Sequence, residues 1–276
     1  MTPLLLALSA SLAWGVADFV GPVWARTLGT LRVLLWAQVG GVLAIGLAVA
    51  IRGDGPHGSA VLFAIVASIA GTAGLYAYYR GVAIGAMSVV APIAGASAVI
   101  PVVWGVAGGD RPTAVQVAGV VCALVGVAFA SREHQAEATR RVAAGVGLAL
   151  LAAVGFGFYF PPMHAAGKVD FWWTALVFRV TTLLLVAAAV AVQRPELRLR
   201  RRDLLICAGV GIGDTLGNAL FAAASRSGLE SLTAVLASLY PIVTVALAAT
   251  FLKERMATAQ RVGIGLTLAG VVLISV

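Results

Sequence analysis

Apolar positions along this chain cluster into ten long stretches separated by short polar breaks. The stretches cover residues 3–24, 33–51, 59–80, 86–107, 113–131, 142–164, 171–192, 203–225, 230–251 and 258–276. Most of them approach the ~20 residues that an α-helix needs to cross a bilayer. Glycine and proline interrupt the pattern at residues 53–58 and 108–112, and these breaks predict two turns. The pattern predicts an all-α polytopic membrane protein with ten transmembrane helices.

A charged run at residues 131–141 lies close to the midpoint of the chain and leaves five apolar stretches on each side. Such runs are typical of solvated linkers. Because five is an odd number, a duplicated second half must enter the membrane in the opposite orientation to the first. The sequence therefore predicts a first five-helix repeat at 1–131, a hydrophilic linker at 132–141 and a second, inverted repeat at 142–276.

Weak internal similarity supports the duplication. Two short segments of the first half align with two of the second, namely Gly71-Thr-Ala-Gly-Leu75 with Asp214-Thr-Leu-Gly-Asn218, and Trp14-Gly15 with Phe156-Gly157. The matches keep their order along the chain. Inverted repeats are common in secondary transporters, where the binding site lies at the repeat interface near the middle of the bilayer.

Composition excludes a soluble fold. Hydrophobic residues make up 61% of the chain and charged residues 11%, whereas soluble domains carry about 25% charged residues. The mean hydropathy is +1.01. The net charge of +8 comes mainly from arginines in short loops, so we expect no nucleic-acid partner. Without a phosphate-binding glycine loop, clustered metal ligands or a catalytic constellation, we expect no cofactor, no metal and no enzymatic activity.

Several short motifs carry a resemblance to a known family. They are Trp14-Gly15, Tyr240-Pro241, Lys253-Glu254-Arg255, Gln260, Gly263 and Gly270. In this order the chain resembles the EamA-type, ten-helix branch of the drug/metabolite transporter superfamily over nearly its whole length. The resemblance implies a carrier of five plus five helices that exports small metabolites or drugs. The first half departs from the pattern with Ser97 and Asp110 in place of Pro241 and Glu254.

Loop charge and family resemblance predict opposite sides of the membrane for the two termini. Of the nineteen Lys and Arg residues, fourteen fall in the odd-numbered loops, four fall in the even-numbered loops, and Arg179 lies inside a predicted helix. Cytoplasmic loops carry the excess of Lys and Arg, so the charge bias places both termini outside. The family resemblance places them in the cytoplasm.

Three ionisable residues are predicted at membrane depth, where they are costly and are functional candidates by default. Asp214 has Asn218 four residues later on the same helix face, and it is a candidate proton-coupling site or a structural acid. Arg179 is predicted at nearly the same depth on the neighbouring helix, so the two should form either a fixed pair or a bridge that substrate displaces. Asp18, four residues after Trp14, is the acidic candidate of the first half.

Aromatic and proline residues complete the candidate set. Trp14, Tyr76, Tyr79, Tyr159 and Tyr240 could line a cavity for flat or cationic groups, although aromatic residues in helices often only pack. Four prolines in or near apolar stretches are candidate gating positions because proline kinks a helix. They are Pro92, Pro101, Pro161 and Pro241.

The leading hypothesis is a secondary active exporter of small metabolites such as amino acids, which works by alternating access with protons as a candidate coupling ion. A multidrug exporter of lipophilic cations and a translocator of lipids or lipid-linked sugars remain alternatives. We expect a multi-pass protein of the bacterial inner membrane that meets a small-molecule substrate and the lipid bilayer, as a monomer or a homodimer.

Overall fold

The computed structural model describes residues 2–56, 58–100, 103, 113–130, 139–225, 239–253 and 258–274. Within these ranges the chain forms ten α-helices: α1 (Thr2–Leu28), α2 (Thr30–Arg52), α3 (Gly58–Ile84), α4 (Met87–Gly95), α5 (Ala114–Ala130), α6 (Thr139–Val169), α7 (Phe171–Gln193), α8 (Arg201–Ser225), α9 (Tyr240–Leu247) and α10 (Thr258–Ile274). A 3₁₀ turn, Ala96–Ala98, follows α4, and a π-helical turn, Ala248–Leu252, follows α9.

The predicted all-α class is confirmed, and most helix ends fall within a few residues of their predicted positions. The fourth helix is an exception, because α4 ends at Gly95 and gives way to the 3₁₀ turn, where the amide of Ala96 lies near the carbonyls of Ile93 and Pro92. Among the described residues, six helices are long and apolar enough to cross a membrane, namely α1, α2, α3, α6, α7 and α8. This supports an integral, multi-pass membrane protein.

The distribution of side chains suits a lipid environment. Large apolar residues face outward, with exposed fractions of 68% for Leu43, 78% for Ile51 and 83% for Val192. Polar residues such as Gln38 and Arg179 are instead almost fully buried. Exposed apolar surface over buried polar groups is the arrangement that a hydrocarbon solvent favours.

Helix packing repeats itself when the two halves are exchanged. The helix α3 packs against α6 as α1 packs against α8, and α1 contacts α9 as α6 contacts α4. The pairs α2 with α7, α4 with α9 and α5 with α10 join equivalent helices directly. Individual contacts repeat as well: a Cβ added to Gly74 would lie 2.9 Å from a ring carbon of Phe156, and a Cβ added to Gly217 would lie 2.5 Å from one of Trp14.

The equivalent helices α2 and α7 run in opposite directions. At the start of α2, Trp36 Nε1 donates to the carbonyl oxygen of Leu197, which follows α7, at 3.2 Å. At the end of α2, Arg52 Nη1 donates to Asp170 Oδ1, which precedes α7, at 2.9 Å. Since α2 begins where α7 ends, this pair has the antiparallel relation that an inverted repeat requires.

Asp170 organises the start of α7. Its carboxylate accepts hydrogen bonds from the backbone N–H groups of Trp172 and Trp173 as well as from Arg52. Burial alone would raise the pKa of this carboxyl, but the hydrogen bond from Arg52 and those from the two backbone amides outweigh burial, so the net pKa is lowered. Asp170 is therefore both a helix cap and one half of an ion pair between the two halves.

Some predicted features lie outside the described residues. They include Pro101, Asp110, Glu254 and most of the linker at 132–141. The division of the chain at that linker stays a prediction.

Candidate functional site

A cavity of about 70 Å³ lies among α1, α3, α6, α7, α8 and α9, so that both halves of the chain supply its walls. Its lining consists of Trp14, Asp18, Gly71, Leu75, Phe156, Tyr159, Phe160, Phe178, Thr182, Asp214, Asn218 and Tyr240. We call it the central cavity. Aromatic rings dominate the lining, and two carboxylates are the charged groups in it.

Residues that the internal alignment makes equivalent meet in this cavity. Three pairs of equivalent residues line it, namely Gly71 with Asp214, Leu75 with Asn218, and Trp14 with Phe156. Extending the last register by four residues pairs Asp18 with Phe160, which also line the cavity. The cavity therefore lies where the two halves of the fold meet as equivalents, which is the expected place for a site between repeats.

A buried ion pair forms one wall. Arg179, which is 1% exposed, donates through Nη2 to Asp214 Oδ2 and through Nη1 to Gln38 Oε1, the latter at 2.9 Å. This confirms that Arg179 and Asp214 lie at the same depth. Asp214 is 18% exposed, so it is the acid and not the base of the pair that borders the central cavity. The guanidinium of Arg179 balances the negative charge of Asp214.

Asp18 is the contrasting acid. It is 8% exposed and lines the same cavity, yet within the described part of the chain its carboxyl has no hydrogen bond and no ion pair. It lies close enough to Asp214 for the two carboxylates to repel each other. A buried charge without a partner is costly, so Asp18 is the group in this cavity with the most to gain from a proton or a cation.

An aromatic chain surrounds these polar groups. Ring centroids lie 5.7 Å apart for Trp14 and Phe221, 6.0 Å for Phe221 and Phe160, and 5.3 Å for Phe160 and Tyr159. The hydroxyl of Tyr159 donates to Asn218 Oδ1, while Asn218 Nδ2 donates to the carbonyl oxygen of Asp214 at 2.8 Å. These contacts fix the rings and the amide as a rigid, mostly apolar wall.

The structure brings together seven of the predicted residues in the central cavity: Asp18, Asp214, Asn218, Trp14, Tyr159 and Tyr240 in its lining, with Arg179 directly behind Asp214. Tyr76 and Tyr79 do not line it. Tyr79 is buried and packs edge-on against Tyr78, while Tyr76 borders a separate cavity near the start of α2.

The prolines take different positions. Pro92 lies inside α4, Pro161 lies inside α6, and Pro241 occupies the first turn of α9. Proline at the start of a helix costs no hydrogen bond, so Pro241 does not kink α9. It packs instead against Gly95, where a Cβ would lie 2.6 Å from the proline ring.

Sequence reasoning missed several residues of this site. Phe178 and Thr182 line the cavity one residue before and three residues after Arg179, so the face that carries Arg179 was the available signal. Gln38 was the second omission. A glutamine in the middle of an apolar stretch is itself unusual, and it occupies the same ninth position in α2 that Arg179 occupies in α7.

A helical bundle with an apolar exterior and an aromatic, acidic cavity between two equivalent halves is the architecture expected of a membrane transporter. A family model agrees: the description "EamA-like transporter family" matches residues 1–132 and, separately, residues 143–276. The chain therefore belongs to the EamA-like transporter family, within the drug/metabolite transporter superfamily.

Solved structures share the fold. One crystal structure aligns with a TM-score of 0.67 and 18% sequence identity, and the alignment covers 98% of this chain and 95% of the other. At that identity the likeness shows the fold alone. A comparison with curated proteins finds no match.

Proposed function

We propose that this chain is a secondary active exporter of small amine-bearing metabolites, with amino acids as the leading class, and that it exchanges them for protons. The observation that carries the proposal is the unpaired carboxyl of Asp18 in the central cavity. One carboxylate can hold either a proton or a substrate ammonium group. Because the two compete for Asp18, loading of substrate releases a proton and loading of a proton releases substrate.

The rest of the central cavity suits the remainder of such a substrate. Trp14 and Tyr240 lie 6.2 Å apart, edge to face, and can place ring faces against an ammonium group or an apolar side chain. The amide of Asn218 lies in the same wall, where its oxygen accepts from Tyr159 and its nitrogen donates to the carbonyl oxygen of Asp214. Arg179 lies behind Asp214, so a substrate carboxylate would reach it by displacing Asp214.

The position of the cavity between two equivalent halves supports an alternating-access mechanism. We further propose that the chain crosses the bilayer ten times, that the protein resides in a bacterial inner membrane as a monomer or homodimer, and that the arginine-rich odd-numbered loops are cytoplasmic.

A lipophilic-cation exporter is the second candidate. Such a substrate needs an acid without a partner, and Asp214 does not meet this condition because it is bound to Arg179. Asp18 does meet it, and its aromatic neighbours favour delocalised cations.

Liposomes that contain a pH-sensitive dye would test both candidates. Amino acids and lipophilic cations are added in turn under an imposed proton gradient to wild type, to Asp18→Asn and to Asp203→Asn, which removes an acid outside the cavity lining. We expect amino-acid-dependent proton flux that Asp18→Asn abolishes and Asp203→Asn retains. Flux with cations alone would select the second candidate. If folded, reconstituted protein moves neither class, the exchange mechanism is wrong.

A further inference from the structure

A second cavity, separate from the central one, lies where α1 turns into α2. It has a volume of about 250 Å³, and its lining includes Thr30, Arg32, Tyr76 and Arg80. Two of these side chains are cationic and two carry hydroxyl groups. We call it the α2-start cavity, and the transport proposal makes no use of it.

The first turn of α2 leaves hydrogen-bond donors without acceptors. Gly29, the residue before the helix, has φ 90° and ψ 141° and provides no side-chain cap. Thr30 is 7% exposed, and its buried hydroxyl has no partner among the described residues. The same holds for the buried Nε of Arg32. An uncapped helix start also carries a partial positive charge and free backbone N–H groups.

Among the described residues, the acid that pairs with Arg32 does not satisfy these donors. Glu196 Oε2 lies 3.7 Å from Arg32 Nη2, but the Glu196 side chain is 75% exposed. An exposed pair at this distance is weak. The α2-start cavity is therefore a concentration of positive charge and unused donors at one end of the helical bundle.

The second half of the chain shows what such a helix start binds. The helices α2 and α7 both contain 23 residues, and Gly29 precedes α2 as Asp170 precedes α7. At α7, the Asp170 carboxylate accepts from two backbone N–H groups and from Arg52. At α2 the same position is Gly29, which has no side chain to cap the helix, although Arg32 lies in the first turn of the helix.

We propose that the α2-start cavity binds a phosphate group, which takes the place that Asp170 fills in the other half. Phosphate oxygens accept from helix N-termini, from the fork of an arginine and from hydroxyl groups, and all three kinds of donor meet here at Thr30, Arg32 and Arg80. Because α2 starts at an end of the membrane-crossing bundle, the headgroup of an anionic phospholipid presents this group at the right depth. Free phosphate offers the same chemistry.

Isothermal titration of delipidated protein in detergent separates these sources, with short-chain phosphatidylglycerol and inorganic phosphate as the two probes. We expect Arg32→Gln to weaken binding roughly tenfold or more, because a charge-assisted hydrogen bond is lost. The control is Arg198→Gln, which removes an exposed charge near the same end of the bundle and does not touch the cavity. Binding of the lipid alone identifies a headgroup site, and binding of phosphate itself with the same dependence on Arg32 identifies a free-ion site.

Two results would overturn the proposal. One is that neither probe binds more tightly to wild type than to Arg32→Gln, and the other is that Arg198→Gln weakens binding as much as Arg32→Gln does. A second comparison does not depend on Arg32. Gly29→Asp and Gly29→Asn carry the same backbone strain at positive φ, but only the first adds a built-in anion. We expect Gly29→Asp to block both probes and Gly29→Asn to retain binding, and equal affinities would contradict the assignment.

Discussion

The two acids of the central cavity should respond in opposite ways to the same substitution. In Asp214→Asn, the guanidinium of Arg179 loses its counter-charge while it stays 1% exposed. Removal of one partner from a buried pair costs about 3–5 kcal/mol. The new amide oxygen can still accept a hydrogen bond and Gln38 keeps its own, so we expect a loss of about 3 kcal/mol, at the lower end of that range.

Asp18→Asn removes a buried carboxyl that has no partner and that repels Asp214. Desolvation of that charge no longer opposes folding. We therefore expect the free energy of unfolding to stay equal or to rise, by about 1 kcal/mol at most. The same Asp→Asn change should thus lower the free energy of unfolding at Asp214 but not at Asp18.

Thermal unfolding in detergent, followed by intrinsic fluorescence, measures the contrast. We expect Tm to fall by roughly 6–12 °C for Asp214→Asn and to hold or rise for Asp18→Asn. The double variant Arg179→Gln/Asp214→Asn removes both charges and should recover about 2 kcal/mol relative to Asp214→Asn. Equal losses of stability in Asp214→Asn and Asp18→Asn would refute the idea that only Asp214 is paired. No recovery of stability in the double variant would refute it as well.

Two further predictions concern packing and pH. Gly217→Ala should destabilise by about 1–3 kcal/mol, because its Cβ would lie within 2.5 Å of the Trp14 ring, whereas Gly209→Ala in the same helix has open space and should be close to neutral in the same unfolding assay. The folded-state pKa of Asp170 is lowered, so its ~1 kcal/mol contribution should be present above pH ~4 and be lost as pH falls through the lowered value. The difference in unfolding free energy between wild type and Asp170→Asn should narrow as pH falls from 7 to 3, and a constant difference would argue against the Arg52 contact.

Helix positions and the depth of polar residues could be read from the sequence. The ends of α7 and the contact between Arg179 and Asp214 follow from apolar length and a rise of ~1.5 Å per residue. The rotation of each helix about its axis could not be predicted from the sequence. A membrane helix is apolar towards lipid and towards its neighbours alike, so its pattern does not say which face is inward. Tyr76 and Tyr79 were therefore predicted in the cavity and lie elsewhere, whereas Phe178 was missed.

Equivalent positions with unequal charge show where the two halves have diverged. Arg179 and Gln38 occupy the same position in α7 and α2, and they hydrogen-bond each other where those helices cross. Two arginines there would place two buried guanidinium groups in contact with a single acid between them. Gln38 instead provides an acceptor for Arg179. Asp214, the acidic partner of Arg179, is equivalent to the neutral Gly71 of the first half. One half therefore supplies a complete, neutralised pair, and this leaves the lone carboxyl of Asp18 as the charge in the central cavity that ligands can change.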